Sequence, residues 1–225
     1  MTTNDPVERM QQLAQESVTS DDPTGWFERL YSDARSGEAF VPWERTTPHR
    51  LLADWALKNQ LTGTGKTALV VGCGFGEDSE FTSSLGFATV GFDIAPSGIR
   101  AAQERYPDSA VDYLVANLLD PPSKWSSSFD LVIEIFTVQA LPVSLRRLSA
   151  ANVGAFVAPG GTLFVVAFAD EGLELPFQGP PWPFSRSEID YFAASGLDAI
   201  SIELVVDVTN PGSFRWQAEF SRPLT

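Results

Sequence analysis

The 225-residue sequence predicts an α/β fold built on a doubly wound, mostly parallel seven-stranded sheet. From Thr67 onwards, apolar runs alternate with helical stretches, the order expected of parallel strands joined by right-handed crossovers. The first run, residues 67–72, is apolar without alternation, as in a strand buried on both faces. The last two apolar runs are separated only by the turn residues 209–212. They should therefore form a hairpin, which places an antiparallel strand near the C-terminus.

The N-terminal part of the chain has a helical pattern throughout. Apolar residues recur at helical spacing in residues 6–18, and aromatic residues begin a second short helix that ends near Gly37. An irregular segment then leads to a third predicted helix over residues 49–59. Thr47 is the candidate N-cap of that helix, and Pro48 suits its first turn.

The remaining elements follow from the alternation of strand and helix patterns. The predicted strands occupy residues 67–72, 87–94, 111–117, 129–136, 162–168, 197–208 and 213–223. The predicted helices between them occupy residues 77–86, 96–107, 143–157 and 185–196. We therefore divide the chain into an N-terminal helical cover, residues 1–60, and a core, residues 61–225, within one compact domain.

Composition and charge exclude several classes of partner and site. The formal net charge of −14 repels nucleic acid and anionic membranes, so we expect a small-molecule partner, and a monomer or weak dimer. Because Cys73 is the single cysteine, an intramolecular disulfide is excluded, and no residue grouping has metal-ligand spacing, so we expect no metal. No apolar run is long enough to span a bilayer, and the polar N-terminus does not read as a signal peptide, which predicts a cytoplasmic protein.

A glycine-rich turn, Gly72-Cys73-Gly74-Phe75-Gly76, follows the first strand and opens the next helix. Glycines at this place allow a tight turn and a close approach of a ligand to the backbone. A dinucleotide-binding turn has a third glycine where this sequence has Glu77, and a carboxylate there repels a pyrophosphate. The turn therefore disfavours NAD(P), and a purely structural turn is the alternative to a ligand site.

Two acidic residues at strand ends are candidate ligand contacts. Asp93 ends the second strand, where a carboxylate accepts hydrogen bonds from both hydroxyls of a ribose. Its alternative role is the N-cap of the following helix. Glu134 ends the fourth strand, where a buried carboxylate either pairs with a cationic amino group or caps the helix that follows.

Four motifs appear in the order found in class I S-adenosylmethionine-dependent methyltransferases, which the sequence resembles. They are the glycine turn, Asp93, Phe-Asp-Leu-Val at residues 129–132, and Pro-Gly-Gly-Thr-Leu at residues 159–163. Together they cover roughly residues 67–168. The resemblance implies the Rossmann-like methyltransferase fold, S-adenosyl-L-methionine as cofactor, S-adenosyl-L-homocysteine as product, and methyl transfer to a small-molecule acceptor.

The resemblance also implies which residues contact the cofactor. Asn117 and Leu118, after the third strand, would flank the adenine. The end of the fourth strand, at Glu134 and Phe136, would meet the methionine part and the reacting centre. The full predicted set of cofactor contacts comprises Trp43, Gly72, Cys73, Gly74, Gly76, Asp78, Asp93, Ile94, Asn117, Leu118, Glu134 and Phe136.

Two further segments resemble the thiopurine and halide/thiol methyltransferase branch of this family. Residues 41–48, VPWERTTP, are similar to its V-P-W-D-x-G-x-P segment, from which Glu44 and Thr46 depart. Residues 179–184, GPPWPF, are similar to its G-P-P-F segment. The first segment implies that Trp43 lies over the cofactor, and the second implies a loop near the acceptor. The alternatives are a core aromatic residue and a rigid surface loop.

The predicted acceptor is a soft nucleophile, a thiol or a halide, because the sequence has no evident general base and such nucleophiles need none. The predicted acceptor contacts are Trp26, Phe40, Trp182 and Phe184. The candidate catalytic residues are Glu134, Thr137 and His49, the only histidine.

Alternatives to these predictions remain open from the sequence. His49 lies at the predicted start of a helix, where a capping or surface role is common. For the function, the alternatives are an O- or N-methyltransferase of a small metabolite, an NAD(P)-dependent oxidoreductase, and an S-adenosylmethionine-binding protein without catalysis.

Overall fold

The computed structural model describes residues 6–170, 179–207 and 212–224, and in these ranges seven strands form one sheet. In chain order the strands are β1 (Thr67–Val71), β2 (Ala88–Asp93), β3 (Asp112–Val115), β4 (Phe129–Ile135), β5 (Val157–Phe168), β6 (Asp198–Val206) and β7 (Phe214–Ser221). Their spatial order is β3-β2-β1-β4-β5-β7-β6. β7 is antiparallel to both of its neighbours, and β1 to β5 pair in parallel. The predicted fold class is confirmed, including the antiparallel strand near the C-terminus.

The helices lie in the order that the sequence predicts. The α-helices are α1 (Pro6–Thr19), α2 (Gly25–Arg35), α3 (Arg50–Lys58), α4 (Glu77–Ser84), α5 (Pro96–Arg105), α6 (Val143–Ala155) and α7 (Arg186–Ile189). Short 3₁₀ helices occupy Ser123–Trp125, Val138–Ala140 and Asp190–Ser195. Among the described residues, none of these helices combines the length and the apolar character that crossing a membrane requires.

Within the sheet, β1 is buried on both faces, because alternate residues of a strand point in opposite directions and each face of β1 packs against helices. Leu69 and Val71 of β1 belong to an apolar cluster that includes Val153 of α6. Val70 belongs to a second cluster, which includes Trp55 of α3. Burial on both faces explains why the sequence of β1 is apolar without alternation.

α1 and α2 pack together over the turn that follows β1. Leu13, Leu30 and Tyr31 share a third apolar cluster with Phe75 of the glycine turn. By contrast, Trp55 of α3 stacks on Phe164 of β5, with ring centroids 4.6 Å apart, so α3 packs on the sheet. The division of the chain at residue 60 stays a prediction.

The predicted start of α3 is wrong. The helix begins at Arg50, its N-cap is His49, and no side chain makes a capping hydrogen bond, so Thr47 and Pro48 lie outside it. The cause is a tertiary contact, since Asp78 Oδ1 accepts a hydrogen bond from the His49 N–H at 2.7 Å. That contact holds His49 in an extended conformation, with φ −60° and ψ 128°.

Two later boundaries also differ from prediction. β5 begins at Val157, because Val157 pairs with Phe129 while Thr162 pairs with Leu131, and the Pro-Gly-Gly residues form an irregularity inside the strand. The predicted helix over residues 185–196 is split into α7 and a 3₁₀ helix. Of the predicted turn at residues 209–212, residues 209–211 lie outside the described residues.

Candidate active site

A cavity of about 910 Å³ opens beside the carboxyl ends of the parallel strands, where α/β proteins bind ligands. Its walls come from the ends of β1 to β4, from α2 with the segment before α3, and from the segment between β5 and the start of β7. This volume is near the upper end of the range for small-molecule sites. The cavity therefore has room for two ligands side by side.

The glycine turn forms the floor of this cavity. Gly72 and Gly74 line it with left-handed φ values of +60° and +54°. A Cβ atom at Gly72 would lie within 2.6 Å of Thr137 Cγ2, so only glycine fits there. Thr137 also fixes the turn, since its Oγ1 donates a hydrogen bond to the Val71 carbonyl at 2.9 Å. Thr137 therefore lines the cavity and holds two strand ends together.

Asp93 lies beside the turn with a buried carboxylate. Its Oδ2 accepts a hydrogen bond from the Gly74 N–H at 3.1 Å, and its Oδ1 accepts one from the Ala95 N–H at 2.9 Å. Burial raises the pKa of Asp93 to about 6, against the opposing effect of these backbone donors. The N-cap of α5 is Ala95, so the alternative role of Asp93 as N-cap is wrong.

The predicted adenine segment lies on the same wall. Ile94, Asn117 and Leu118 all line the cavity. Asn117 Oδ1 accepts a hydrogen bond from the Leu119 N–H at 2.9 Å, which closes a local turn and fixes the loop. Cys73 also lines the cavity, and burial raises the pKa of its thiol well above the ordinary value, so it is no nucleophile.

The segment before α3 closes the cavity from above. Trp43 lines it, and its Nε1 donates a hydrogen bond to the Tyr31 hydroxyl at 2.9 Å. Arg45 forms an ion pair with Asp78 at 2.7 Å, so both Asp78 oxygens bind this segment. Asp78 therefore attaches the segment to α4, and it also lines the cavity, so its contact with the cofactor stays a prediction.

We predict that Trp43→Ala lowers the affinity for S-adenosylhomocysteine about 3- to 30-fold, because an aromatic face and its hydrogen bond over the site are lost. The free energy of unfolding should change less, since Trp43 is half-buried. Calorimetric titration and urea unfolding measure the two effects. Trp55→Ala is the contrasting control, because Trp55 packs on Phe164 and does not line the cavity. Unchanged affinity in folded Trp43→Ala would remove Trp43 from the site.

Glu134 is not among the cavity-lining residues. Its Oε1 accepts hydrogen bonds from the Thr137 N–H at 2.8 Å and the Val138 N–H at 2.9 Å, which caps the 3₁₀ helix Val138–Ala140. Burial raises its pKa to about 7, and its Oε2 is buried without a hydrogen-bond partner among the described residues. The predictions of cofactor contact and catalysis for Glu134 are therefore corrected to capping.

The far end of the cavity is aromatic. Phe136, with φ +63°, stacks on Phe168, with ring centroids 4.8 Å apart, and the His49 ring lies edge-on at 5.2 Å from Phe136. Burial and the nearby Arg45 lower the pKa of His49 to about 4, so its ring is neutral at physiological pH. His49 lines the cavity rather than the outer surface, and its Nδ1 is buried without a partner in the described part of the chain.

Several predicted contacts lie elsewhere. Phe40 is 73% exposed and does not line the cavity. Phe184 is fully buried in the core under the Arg146 guanidinium, and Trp182 is tied by its N–H to the Gln139 carbonyl at 2.9 Å. These three acceptor predictions are wrong: Phe40 points to solvent, and core packing and backbone contacts hold Phe184 and Trp182. Of the Pro-rich segment, Pro180, Pro181 and Pro183 line the cavity instead.

Of two other predicted residues, one lines the cavity and the other serves packing beside it. Trp26 lines the cavity as predicted. Gly76 does not line it, and a Cβ atom there would overlap the Tyr113 hydroxyl, so this glycine serves packing at the start of α4. Tyr31 and Gln139 line the cavity, as the sequence predicts for a lid of aromatic residues and for the segment after β4, whereas Arg45, Phe168 and Arg215 line it and were missed by sequence analysis.

The floor of the cavity fits S-adenosylmethionine. A Cβ atom at Gly74 would lie 3.1 Å from the Tyr31 hydroxyl, in a cradle that a side chain would fill. Asp93 and Leu118 line the cavity, where the buried carboxylate of Asp93 would accept ribose hydroxyls and Leu118 would flank the adenine. Aromatic faces such as Trp43 favour a cationic sulfonium. When bound there, the cofactor supplies an electrophilic methyl group.

Comparisons with known proteins agree with this fit. Residues 68–161 match the family model described as a methyltransferase domain. The chain is 28% identical over 184 residues to a probable thiol methyltransferase 2 from Arabidopsis thaliana, covering 78% of this chain and 80% of that protein. It is 33% identical over 103 residues to a ubiquinone biosynthesis O-methyltransferase from Xanthomonas campestris, covering 45% of this chain and 42% of that protein.

Solved structures share the fold. A structure concerned with conversion of a disulfide bond into a thioacetal group during echinomycin biosynthesis is 22% identical, with a TM-score of 0.69 and coverage of 88% and 93% of the two chains. Magnesium protoporphyrin IX methyltransferase from Synechocystis PCC 6803, with bound S-adenosylhomocysteine, has a TM-score of 0.62 at 14% identity, with coverage of 76% and 80%. Residues 68–161 thus form a methyltransferase domain, and the strand order and the glycine turn agree with a class I S-adenosylmethionine-dependent methyltransferase.

Proposed function

We propose that this enzyme methylates a soft nucleophile on a small molecule, with a thiol as the preferred acceptor and a halide as the second. The observation that carries the proposal is the far end of the cavity, where Phe136 and Phe168 stack, Arg215 is the cation and the single histidine is neutral. A thiolate needs no proton acceptor at the moment of transfer. The similarity to the Arabidopsis thaliana thiol methyltransferase supports the same acceptor class.

The residues of the chain act by alignment and exclusion of water. Asp93 and the glycine turn would hold the cofactor from below, and Trp43 would cover it. Phe136 and Phe168 would position the acceptor on the opposite side. Holding two reactants in line supplies about 7–11 kcal/mol of the barrier in favourable cases. No step requires proton transfer when the acceptor is ionised.

An acceptor screen with S-adenosylmethionine tests the proposal. Alkyl and aryl thiols, iodide and bromide, and the matching phenols and amines are compared for formation of S-adenosylhomocysteine and of the methylated product. We expect thiols to give the highest kcat/KM, with halides next. Turnover of phenols or amines in preference to thiols would contradict the proposed acceptor while leaving the methyltransferase itself intact.

A second candidate function is O-methylation, which one specific observation favours. His49 lines the cavity with a neutral ring, the form that can accept a proton from a hydroxyl, and its Nδ1 has no hydrogen-bond partner among the described residues. The match to an O-methyltransferase over part of the chain points the same way.

The variant His49→Asn separates the two candidates. For a thiol assayed above its own pKa, we expect kcat to change less than about threefold, because no proton needs to move. For a hydroxyl acceptor, loss of the base should lower kcat about 10²- to 10⁴-fold. The kcat of wild type and variant is measured across pH with one thiol and one phenol, and a large loss with the thiol would assign His49 a catalytic role in sulfur methylation.

A further inference from the structure

Arg215 places a cation in the wall of the aromatic end of the cavity. Its side chain is buried, with 7% of the residue exposed, and it lines the cavity. The guanidinium lies over the Phe168 ring at 3.7 Å from the centroid and 5.7 Å from that of Phe136. It therefore belongs to the same wall as the two stacked rings.

The topology explains why Arg215 reaches this place. β7 is antiparallel to β5, and Arg215 pairs with Phe168, so the start of β7 lies at the carboxyl end of the parallel strands. The next residue, Trp216, points to the opposite face and donates a hydrogen bond from Nε1 to the Phe184 carbonyl at 2.8 Å. This anchor holds the strand so that Arg215 faces the cavity.

The donors of Arg215 are only partly used by the protein. Its guanidinium pairs with Asp207 and donates to Ser213 Oγ at 3.3 Å and to the Phe214 carbonyl at 3.0 Å. An arginine has five N–H donors, and within the described ranges these three acceptors take three of them, which leaves two for a ligand.

A second buried arginine provides the comparison. Of the two buried arginines in the described ranges, Arg146 does not line the cavity, and it binds Glu188 and the carbonyls of Trp182 and Pro183. Arg146 thus serves the fold, whereas Arg215 faces the space that an acceptor would occupy.

The charges in the cavity divide between its two ends. The floor carries the buried carboxylate of Asp93, which suits a cationic cofactor. The aromatic end carries the ion pair of Arg215 with Asp207, and the remaining N–H donors of Arg215 suit an anionic group. In the partly desolvated wall, a charge-assisted, bidentate contact with a carboxylate is stronger than one in water. Asp93 and the remaining donors of Arg215 thus attract ligand groups of opposite charge.

We propose that Arg215 is a specificity-determining residue that selects aromatic acceptors carrying a carboxylate. This inference rests on the proposed function for the acceptor atom, a thiol. The aromatic ring of such an acceptor lies against Phe136, and its carboxylate binds the guanidinium of Arg215. An aryl thiol with a ring carboxylate combines these features.

The test measures binding to the protein loaded with S-adenosylhomocysteine, so its readout does not depend on turnover. The probes are 4-mercaptobenzoate and 4-methylbenzenethiol, with 4-hydroxybenzoate and 4-methylphenol as the oxygen pair. The variants are Arg215→Lys, which keeps the charge but loses the planar fork, and the double variant Arg215→Met with Asp207→Asn, which leaves no buried charge unpaired. Arg147→Met is the control, since Arg147 is an exposed cation over Tyr191, outside the cavity.

In wild type we expect both carboxylates to bind about 10- to 100-fold more tightly than their neutral analogues. The double variant should lose this preference, Arg215→Lys should lose part of it, and Arg147→Met should keep it, with unchanged affinity for S-adenosylhomocysteine in all of them. Three outcomes would overturn the inference. The wild type could bind charged and neutral probes equally well, the double variant could lose affinity equally for both, or no probe could bind. A carboxylate preference with methylation of the phenols alone would keep the inference and contradict the thiol proposal.

Discussion

Replacing Asp93 with asparagine is expected to lower the affinity for S-adenosylhomocysteine at least about hundredfold while the protein stays folded. The reason is that a carboxylate accepts two ribose hydroxyls, and each hydrogen bond to a charged group contributes about 1.5–3 kcal/mol. Asparagine keeps an acceptor oxygen for only one of the two N–H groups, of Gly74 and Ala95, because each of them binds a different oxygen of the carboxylate. Calorimetric titration at about pH 8, where Asp93 is ionised, measures the loss.

The matched control is Asp130→Asn. Asp130 Oδ2 also accepts a backbone hydrogen bond, from the Thr67 N–H at 2.8 Å, but it lies at the opposite end of β1 and outside the cavity. Its affinity for S-adenosylhomocysteine should equal that of wild type. If the two variants lost affinity equally, the effect would belong to the sheet and not to a ribose contact.

The raised pKa of Asp93 gives this prediction a pH signature. As the pH falls through about 6, protonation removes the charge, so wild-type affinity should fall towards that of Asp93→Asn. The stability of the fold changes with pH in the direction opposite to the affinity. Because the pKa rises from 3.8 to about 6 on folding, ionisation lowers the free energy of unfolding by about 3 kcal/mol between these pH values. In urea unfolding, the stability of Asp93→Asn should not show this decrease as the pH rises.

Replacing Gly72 with alanine is expected to destabilise the fold by about 2–5 kcal/mol and to abolish measurable cofactor binding. Two causes add, a left-handed φ of +60° and an overlap with the Thr137 side chain, whose Cγ2 would lie 2.6 Å from the new Cβ. Any relief of the overlap must move the turn or the β4 end, and both line the cavity. Urea unfolding and titration with S-adenosylhomocysteine measure the two effects.

Two further variants separate the causes. Gly65→Ala carries a similar φ of +76° with no atom within 4 Å, so it reports the cost of the left-handed conformation alone, about 1–2 kcal/mol. Thr137→Ala combined with Gly72→Ala removes most of the overlap and should recover part of the stability. A loss in Gly72→Ala no larger than in Gly65→Ala would show that the turn tolerates a side chain.

The residues that the sequence predicted well are those whose role depends on local order. The turn from Gly72 to Gly76 follows an apolar strand directly, and Asp93 ends the next strand, so both could be placed at one edge of the sheet. Parallel strands bring their carboxyl ends together, which is why no tertiary information was needed. The fold class followed from the same alternation.

The residues that the sequence predicted poorly depend on contacts between distant segments. Arg215 was missed because its place requires β7 to enter between β5 and β6, and a sequence does not state this order. Phe184 was misplaced because its ring is taken into the core beside Phe192, whereas nearby prolines line the cavity. For Glu134 the sequence left two roles open. Its hydrogen bonds from the N–H groups of Thr137 and Val138 favour capping.

The position of β7 in the sheet has a consequence for the order in which the chain assembles during synthesis. β6 has β7 as its neighbour in the sheet, so β6 cannot be incorporated before residues 214–221 have been made. The floor of the cavity uses residues from much earlier in the chain, such as Gly72 and Asp93. The residues of the cofactor site are therefore all synthesised before Arg215, the residue that we propose selects the second substrate.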